Sequence, residues 1–160
     1  MSHAPNNSST LTRRILRYGP LVFWTGLILF ASTQSFSAGN TSRIIRPLLL
    51  WLFPDISETQ LINIHFFTRK AAHFIEYAIL AFFAYRAFVT SIRDFLREHW
   101  FATSLILVAV VAAIDELNQS RIPARTGSPY DSAIDIAGGL TMLLLIAWYQ
   151  RRRHKLRYSR

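Results

Sequence analysis

Four stretches of this chain are long and apolar enough to cross a bilayer, and no other feature narrows the possible folds as much. A membrane core takes ~20 residues of helix, and a chain inside lipid must satisfy its own backbone hydrogen bonds. The first stretch is uncharged over residues 18–42 and apolar over 20–31. The others cover residues 70–90, 99–119 and 131–150. A fifth apolar run, 44–53, is broken by Arg46 and Pro47 and is too short to span, so it reads as interfacial or re-entrant. The expected fold class is all-α: an integral membrane four-helix bundle with a short interfacial helix between the first and second spans. The competing reading of the first stretch is a signal peptide. Arg13, Arg14 and Arg17 would form its basic head, with a small-residue site at Ser35, Phe36 and Ser37.

Composition supports lipid as the main partner. Hydrophobic residues make up 51% and charged residues 17%, against about 25% charged in a soluble domain. That excludes disorder for the bulk of the chain. The net charge is +9, but the basic residues lie mostly outside the apolar runs. The basic C-terminal tail directly follows a span, which suits anionic lipid and argues against nucleic acid. There is no cysteine, so disulfides, thiolate zinc sites and cysteine nucleophiles are all excluded.

The distribution of basic residues sets an orientation. Arg13, Arg14 and Arg17 precede the first span. Arg93 and Arg97 follow the second, with Arg86 a turn inside it. Arg151, Arg152, Arg153, Lys155, Arg157 and Arg160 follow the fourth. With four spans these groups share one side, which predicts both termini in the cytoplasm. Residues 1–12, rich in Ser and Asn, read as a disordered tail, 13–150 as the membrane domain, and 151–160 as a basic cytoplasmic tail. Trp24, Trp51, Trp100 and Trp148 fall near span ends or in the interfacial run, where amphipathic rings belong.

Ionisable residues inside spans are costly and mark functional sites by default. On the second span Lys70, His73 and Tyr77 stand at i, i+3 and i+7, with Glu76 beside them. Asp115, Glu116 and Gln119 end the third span, and Asp131 and Asp135, at i and i+4, begin the fourth. The alternating topology brings all three groups to the exterior end. Asp115 stands ~24 Å along its helix, just inside the outer boundary of a ~30 Å core. Loop 120–130, which carries Arg121 and Arg125, is long enough to fold over the cluster.

Each residue also has a structural reading. Asp131 and Asp135 can complement a helix dipole, whereas Asp115 and Glu116 lie at the wrong end for that and need a partner, with Arg125 or Lys70 the obvious choice. His73 can be a hydrogen-bonded interior histidine, and Tyr77 a packed ring with a bonded hydroxyl. Gln34 and Gln119 suit interhelical bonds, and Gly138 and Gly139 suit close helix contact. Crowded carboxylates require basic partners, protons or a divalent cation. The Asp/Glu/His set suits Mg²⁺, Mn²⁺ or Zn²⁺, but no metal motif is present. Mutual salt bridges are the first expectation, and no cofactor is predicted.

These residues carry a resemblance. Lys70, Ala71, Ala72, His73, Phe74, Ile75, Glu76 and Tyr77 resemble the first motif of the VanZ-like family. Asp115 to Gln119, then Arg125 to Ser128, then Asp131, Asp135 and Gly138 resemble its second. Ala31, Ser32, Thr33 and Gln34 are similar to the polar end of that family's first helix, with Thr33 a departure from the more usual Ser. The resemblance covers roughly residues 23–144. It implies a small bacterial multi-pass protein of the cytoplasmic membrane and cell envelope, related to teicoplanin resistance. It does not imply a reaction.

Three functions are open. The leading one is binding of a polar lipid or cell-wall intermediate at the exterior face by Lys70, His73, Glu76, Tyr77, Asp115, Glu116, Gln119, Arg125, Asp131 and Asp135. The second is a hydrolase or transferase for lipid-linked phosphate or wall precursors, with His73 or Glu116 as the acid or base. The third is a small proton-coupled transporter, which the one-ended placement of the polar residues disfavours. A Ser128 or Thr126 nucleophile is formally available, but loop hydroxyls are common beside turns.

Overall fold

The computed structural model describes residues 7–32, 46–121 and 129–158. The described residues are mostly helical and include no strand. The helices are α1 (Asn7–Ala31), α2 (46–52), α3 (Glu58–Val89), α4 (Asp94–Glu98), α5 (Trp100–Ser120) and α6 (Pro129–Tyr158).

The outward faces are apolar, unlike those of a water-soluble bundle, and several polar residues are buried. On α5 the buried set includes Ser104, Asp115 and Gln119, while Ile106, Val110, Ile114 and Leu117 face outward. On α6 Asp135 is buried, and Leu144, Leu145 and Trp148 are exposed. In water this would leave a large apolar surface with no cover; in hydrocarbon it places each group in the matching environment. Among the described residues, three helical segments are long and apolar enough to cross a membrane: Glu58–Val89, Trp100–Ser120 and Tyr130–Arg153. The first helix is not one of the three. Its described uncharged part, Tyr18 to Ala31, rises about 21 Å, short of a ~30 Å core, and most of the remaining uncharged run lies outside the described residues.

Helix α3 is the hub. Its buried stripe of Tyr77, Leu80, Ala81, Ala84 and Ala87 follows helical periodicity, and its three alanines let neighbours approach closely. Helix α6 packs most extensively against it, followed by α5 and then α1. Leu21 and Ile28 of α1, Val108, Val111 and Ala112 of α5, and Leu143 of α6 complete the core.

Tie points fix the directions. Arg86 donates to the Leu16 carbonyl (3.1 Å), the Tyr18 hydroxyl bonds Ser91 Oγ (2.9 Å), and Trp24 Nε1 donates to the Glu76 carbonyl (3.0 Å), so α1 runs antiparallel to α3. Lys70 pairs with Asp131, and Gln150 Nε2 donates to the Tyr85 hydroxyl (2.9 Å), so α6 runs parallel to α3. Leu16 and Gln150 therefore approach the same end of the bundle. Trp24→Phe removes one of these ties; we expect a loss of about 1 kcal/mol, a fall of about 2–4 °C in the thermal midpoint in detergent. An unchanged midpoint would show that the indole acts by packing alone.

Two element boundaries differ from expectation. Helix α3 starts at Glu58 rather than near Lys70, because Ser57 and Gln60 form a capping box there. Lys70 thus lies about 18 Å into its helix rather than in its first turn. Helix α1 begins at Asn7, within the stretch read as a disordered tail; no Gly or Pro interrupts residues 7–18. The 44–53 run carries helix over 46–52, tied to α3 by an ion pair between Arg46 and Glu58.

Candidate functional site

Four helices deliver polar side chains to one place. The site is held together by the way α6 meets α3. A Cβ on Gly138 would overlap the Phe74 carbonyl oxygen and lie 2.9 Å from its carbon. On Gly139 it would lie 2.7 Å from Val108 Cγ1. The adjacent glycines therefore seat α6 against α3 on one side and α5 on the other, as small residues do in membrane bundles. One turn before Gly138, Asp135 is carried up to His73. A further turn back, Asp131 reaches Lys70.

The pairs differ in burial. Lys70 and Asp131 form a partly buried ion pair, with the Lys70 ammonium also 5.2 Å from the centre of the Phe66 ring. His73 Nδ1 lies 3.3 Å from Asp135 Oδ1, yet neither atom makes a hydrogen bond among the described residues. Asp115 is 1% exposed and Asp135 2%. One ligand-type atom from each of His73, Asp115 and Asp135 falls within 4.8 Å of the others. Asp115 accepts from Ser32 Oγ on Oδ1 and from Gln119 Nε2 on Oδ2 (2.9 Å). The Tyr77 hydroxyl is fully buried within electrostatic reach of Asp115 and Asp135 and makes no well-aligned hydrogen bond among the described residues.

The structure thus brings together Lys70, His73, Tyr77, Asp115, Gln119, Asp131 and Asp135 from the residues singled out in the sequence. Glu76 is half-buried, within electrostatic reach of His73 and Tyr77. Glu116 is half-buried and lies outside the histidine–aspartate triad. A helix rotates about 100° per residue, so Glu116 does not share the face of Asp115. Arg125, Thr126, Ser128 and Gln34 lie outside the described residues. The partner expected for Asp115 was Lys70 or Arg125. Lys70 instead pairs with Asp131, and Asp115 is held by the neutral donors Ser32 and Gln119.

Ser32 is the residue sequence reasoning missed as part of the site. Its signal was present: a small polar residue at the end of an apolar helix, one residue after Ala31. Its hydroxyl also lies 2.8 Å from the Ile28 carbonyl, the usual local bond of a helical serine, so sequence alone favours that bland role.

Chemically, four carboxylates (Glu76, Asp115, Asp131, Asp135) meet one ammonium and one imidazole in a poorly hydrated setting. Such a set binds hydroxyls, amines or cations readily, and its histidine beside an aspartate is suited to proton transfer.

Residues 18–150 match the family model described as VanZ/LLP1. That span includes every site residue described above, from Ser32 to Asp135. No curated protein and no solved structure matches the chain.

Proposed function

The chain belongs to the VanZ/LLP1 family, and we propose that it is a multi-pass protein of the bacterial cytoplasmic membrane that binds the polar head of a lipid or cell-wall intermediate. In this reading α1 completes a fourth span, and both termini face the cytoplasm, where the basic tails belong. The site then opens to the exterior leaflet, where wall intermediates are handled. One observation carries the proposal: the only buried acids among the described residues, Asp115 and Asp135, converge on His73 at one end of an otherwise apolar bundle. Buried charges of this kind are too costly to persist as packing. The Lys70 and Asp131 pair lies beside them and offers both a donor and an acceptor to a head group.

The physiological counterpart is altered susceptibility to glycopeptides such as teicoplanin. We expect Lys70→Ala and Asp135→Asn, at wild-type membrane levels, to reproduce the deletion phenotype in a strain where deletion changes susceptibility or envelope lipids. Lipid should co-purify with the wild-type protein and be lost from both variants. Wild-type phenotype and lipid content in both variants would overturn the reading.

The 3.3 Å approach of His73 to Asp135 favours a second reading, hydrolysis or transfer on a lipid-linked phosphate with His73 as the acid or base. Turnover of such lipids by purified protein, lost in His73→Ala, separates it from binding alone.

A further inference from the structure

We infer that His73, Asp115 and Asp135 form a binding site for a single first-row divalent cation of the Zn²⁺ or Mn²⁺ type. The inference deepens the head-group reading by naming an inorganic partner at the same place, and it can be tested without any lipid.

The donor set is appropriate. One imidazole and two carboxylates suit Zn²⁺ or Mn²⁺ better than the all-oxygen shells of Mg²⁺ and Ca²⁺. They come from three different helices, α3, α5 and α6, and their ligand atoms all lie within 4.8 Å of one another.

The geometry is informative beyond proximity. His73 Nδ1 and Asp135 Oδ1 are 3.3 Å apart and buried, an ion-pair contact whose alignment falls short of a hydrogen bond. A simple histidine–aspartate pair would align its N–H with the oxygen. Two ligands on a tetrahedral ion with bonds of ~2.0–2.1 Å are separated by about 3.3–3.4 Å without any such alignment. Asp135, almost fully buried, therefore has on Oδ1 only this misaligned contact with His73 among the described residues.

The surroundings match an outer shell. Asp115 takes one hydrogen bond on each oxygen, from Ser32 and Gln119, which orients the carboxylate and leaves a lone pair on each oxygen for an ion. The Tyr77 hydroxyl is buried within reach of Asp115, with no well-aligned partner among the described residues, and can bond a ligand oxygen or a metal-bound water. Charge points the same way. Lys70 is paired with Asp131, and among the described residues His73 is the cationic partner in contact with Asp135, so a divalent cation would neutralise the two buried acids. With three protein ligands, positions stay open for a substrate oxygen, as in catalytic rather than structural zinc sites.

The test uses full-length protein purified in detergent, loaded with Zn²⁺ or Mn²⁺ and desalted, with metal content measured by mass spectrometry. Wild type should retain one ion per chain and gain thermal stability on Zn²⁺ addition. His73→Ala and Asp135→Asn should weaken Zn²⁺ binding by about 100-fold or more, and Ser32→Ala and Gln119→Ala by about 10–100-fold. Asp94→Asn, in the exposed ion pair with Arg97 on α4, should retain the ion. Co²⁺ substitution gives a second readout in wild type alone, since its visible absorption reports nitrogen and oxygen ligation directly and does not depend on any variant folding. Wild type with no stoichiometric ion and no Co²⁺ spectrum would sink the site, as would an ion equally retained in the triad variants. A bound ion with no co-purifying lipid would leave the metal site standing and overturn the head-group reading instead.

Discussion

Valine at position 138 should cost the protein its folded state in detergent, and alanine at the same position should already be severe. The cause is the backbone. A single Cβ on Gly138 overlaps the carbonyl oxygen of Phe74 and lies 3.0 Å from its Cα. A side chain can rotate away from a clash, but a helical carbonyl cannot without moving the helix. Helix α3 would have to separate from α6 along their most extensive contact. Overpacking in a tight core costs about 1–3 kcal/mol, and with no yielding side chain Gly138→Ala should reach the top of that range. That corresponds to a fall of about 6–12 °C in the thermal midpoint. Gly139→Ala should cost less, because its new methyl group meets the side chain of Val108 rather than backbone. Thermal unfolding of the three purified variants gives the order directly. Gly138→Ala as stable as wild type, or Gly139→Ala the worse of the two, would mean that the glycines do not seat α6.

The same substitution should damage the site before it destroys the fold. Gly138 lies three residues after Asp135, one turn along α6, so any displacement of the helix axis draws Asp135 from His73. Loss of metal or lipid at a temperature where Gly138→Ala is still folded would therefore report this coupling.

Much of this was legible from the order of residues. The second, third and fourth apolar runs became α3, α5 and α6, because a 20-residue apolar segment has few alternatives to a helix in lipid. The i, i+3 and i+4 spacings put His73, Tyr77, Asp115, Gln119, Asp131 and Asp135 on inward faces, and two helix glycines marked the close contact.

What escaped the sequence has local physical causes. The start of α3 depends on a capping box at Ser57 and Gln60, upstream of any apolar run, so hydropathy alone places the helix too late. Glu116 has the same chemistry as Asp115 and sits next to it, yet one residue along a helix rotates by about 100°, and only the packed structure tells which acid faces the histidine. The choice of Asp131 by Lys70 depends on the axial register of two parallel helices, which no spacing within one helix encodes. Ser32 was hidden because serine at a helix end is usually satisfied by its own backbone.

Asp115 offers the sharpest separation of folding from function. Asp115→Asn should fold with a stability within about 1 kcal/mol of wild type and yet behave as the deletion does. Asparagine has nearly the volume of aspartate. Its carbonyl can accept from Ser32, and its amide can donate to Gln119 once that amide turns to present its oxygen, so both hydrogen bonds survive. The charge does not survive, and with it goes the attraction for a cation or for a positively charged or protic head group. Asp115→Ala should differ in the other direction. Ser32 can fall back on the Ile28 carbonyl, 2.8 Å away, but the buried Gln119 amide loses its acceptor, at about 1–3 kcal/mol, with a cavity added. The alanine variant should therefore be both less stable and inactive, and the asparagine variant inactive alone. Complementation of a deletion strain read beside thermal midpoints distinguishes the cases. If Asp115→Asn complements fully, the buried carboxylate is a hydrogen-bonding anchor between α1 and α5, and its charge plays no part in what the site does.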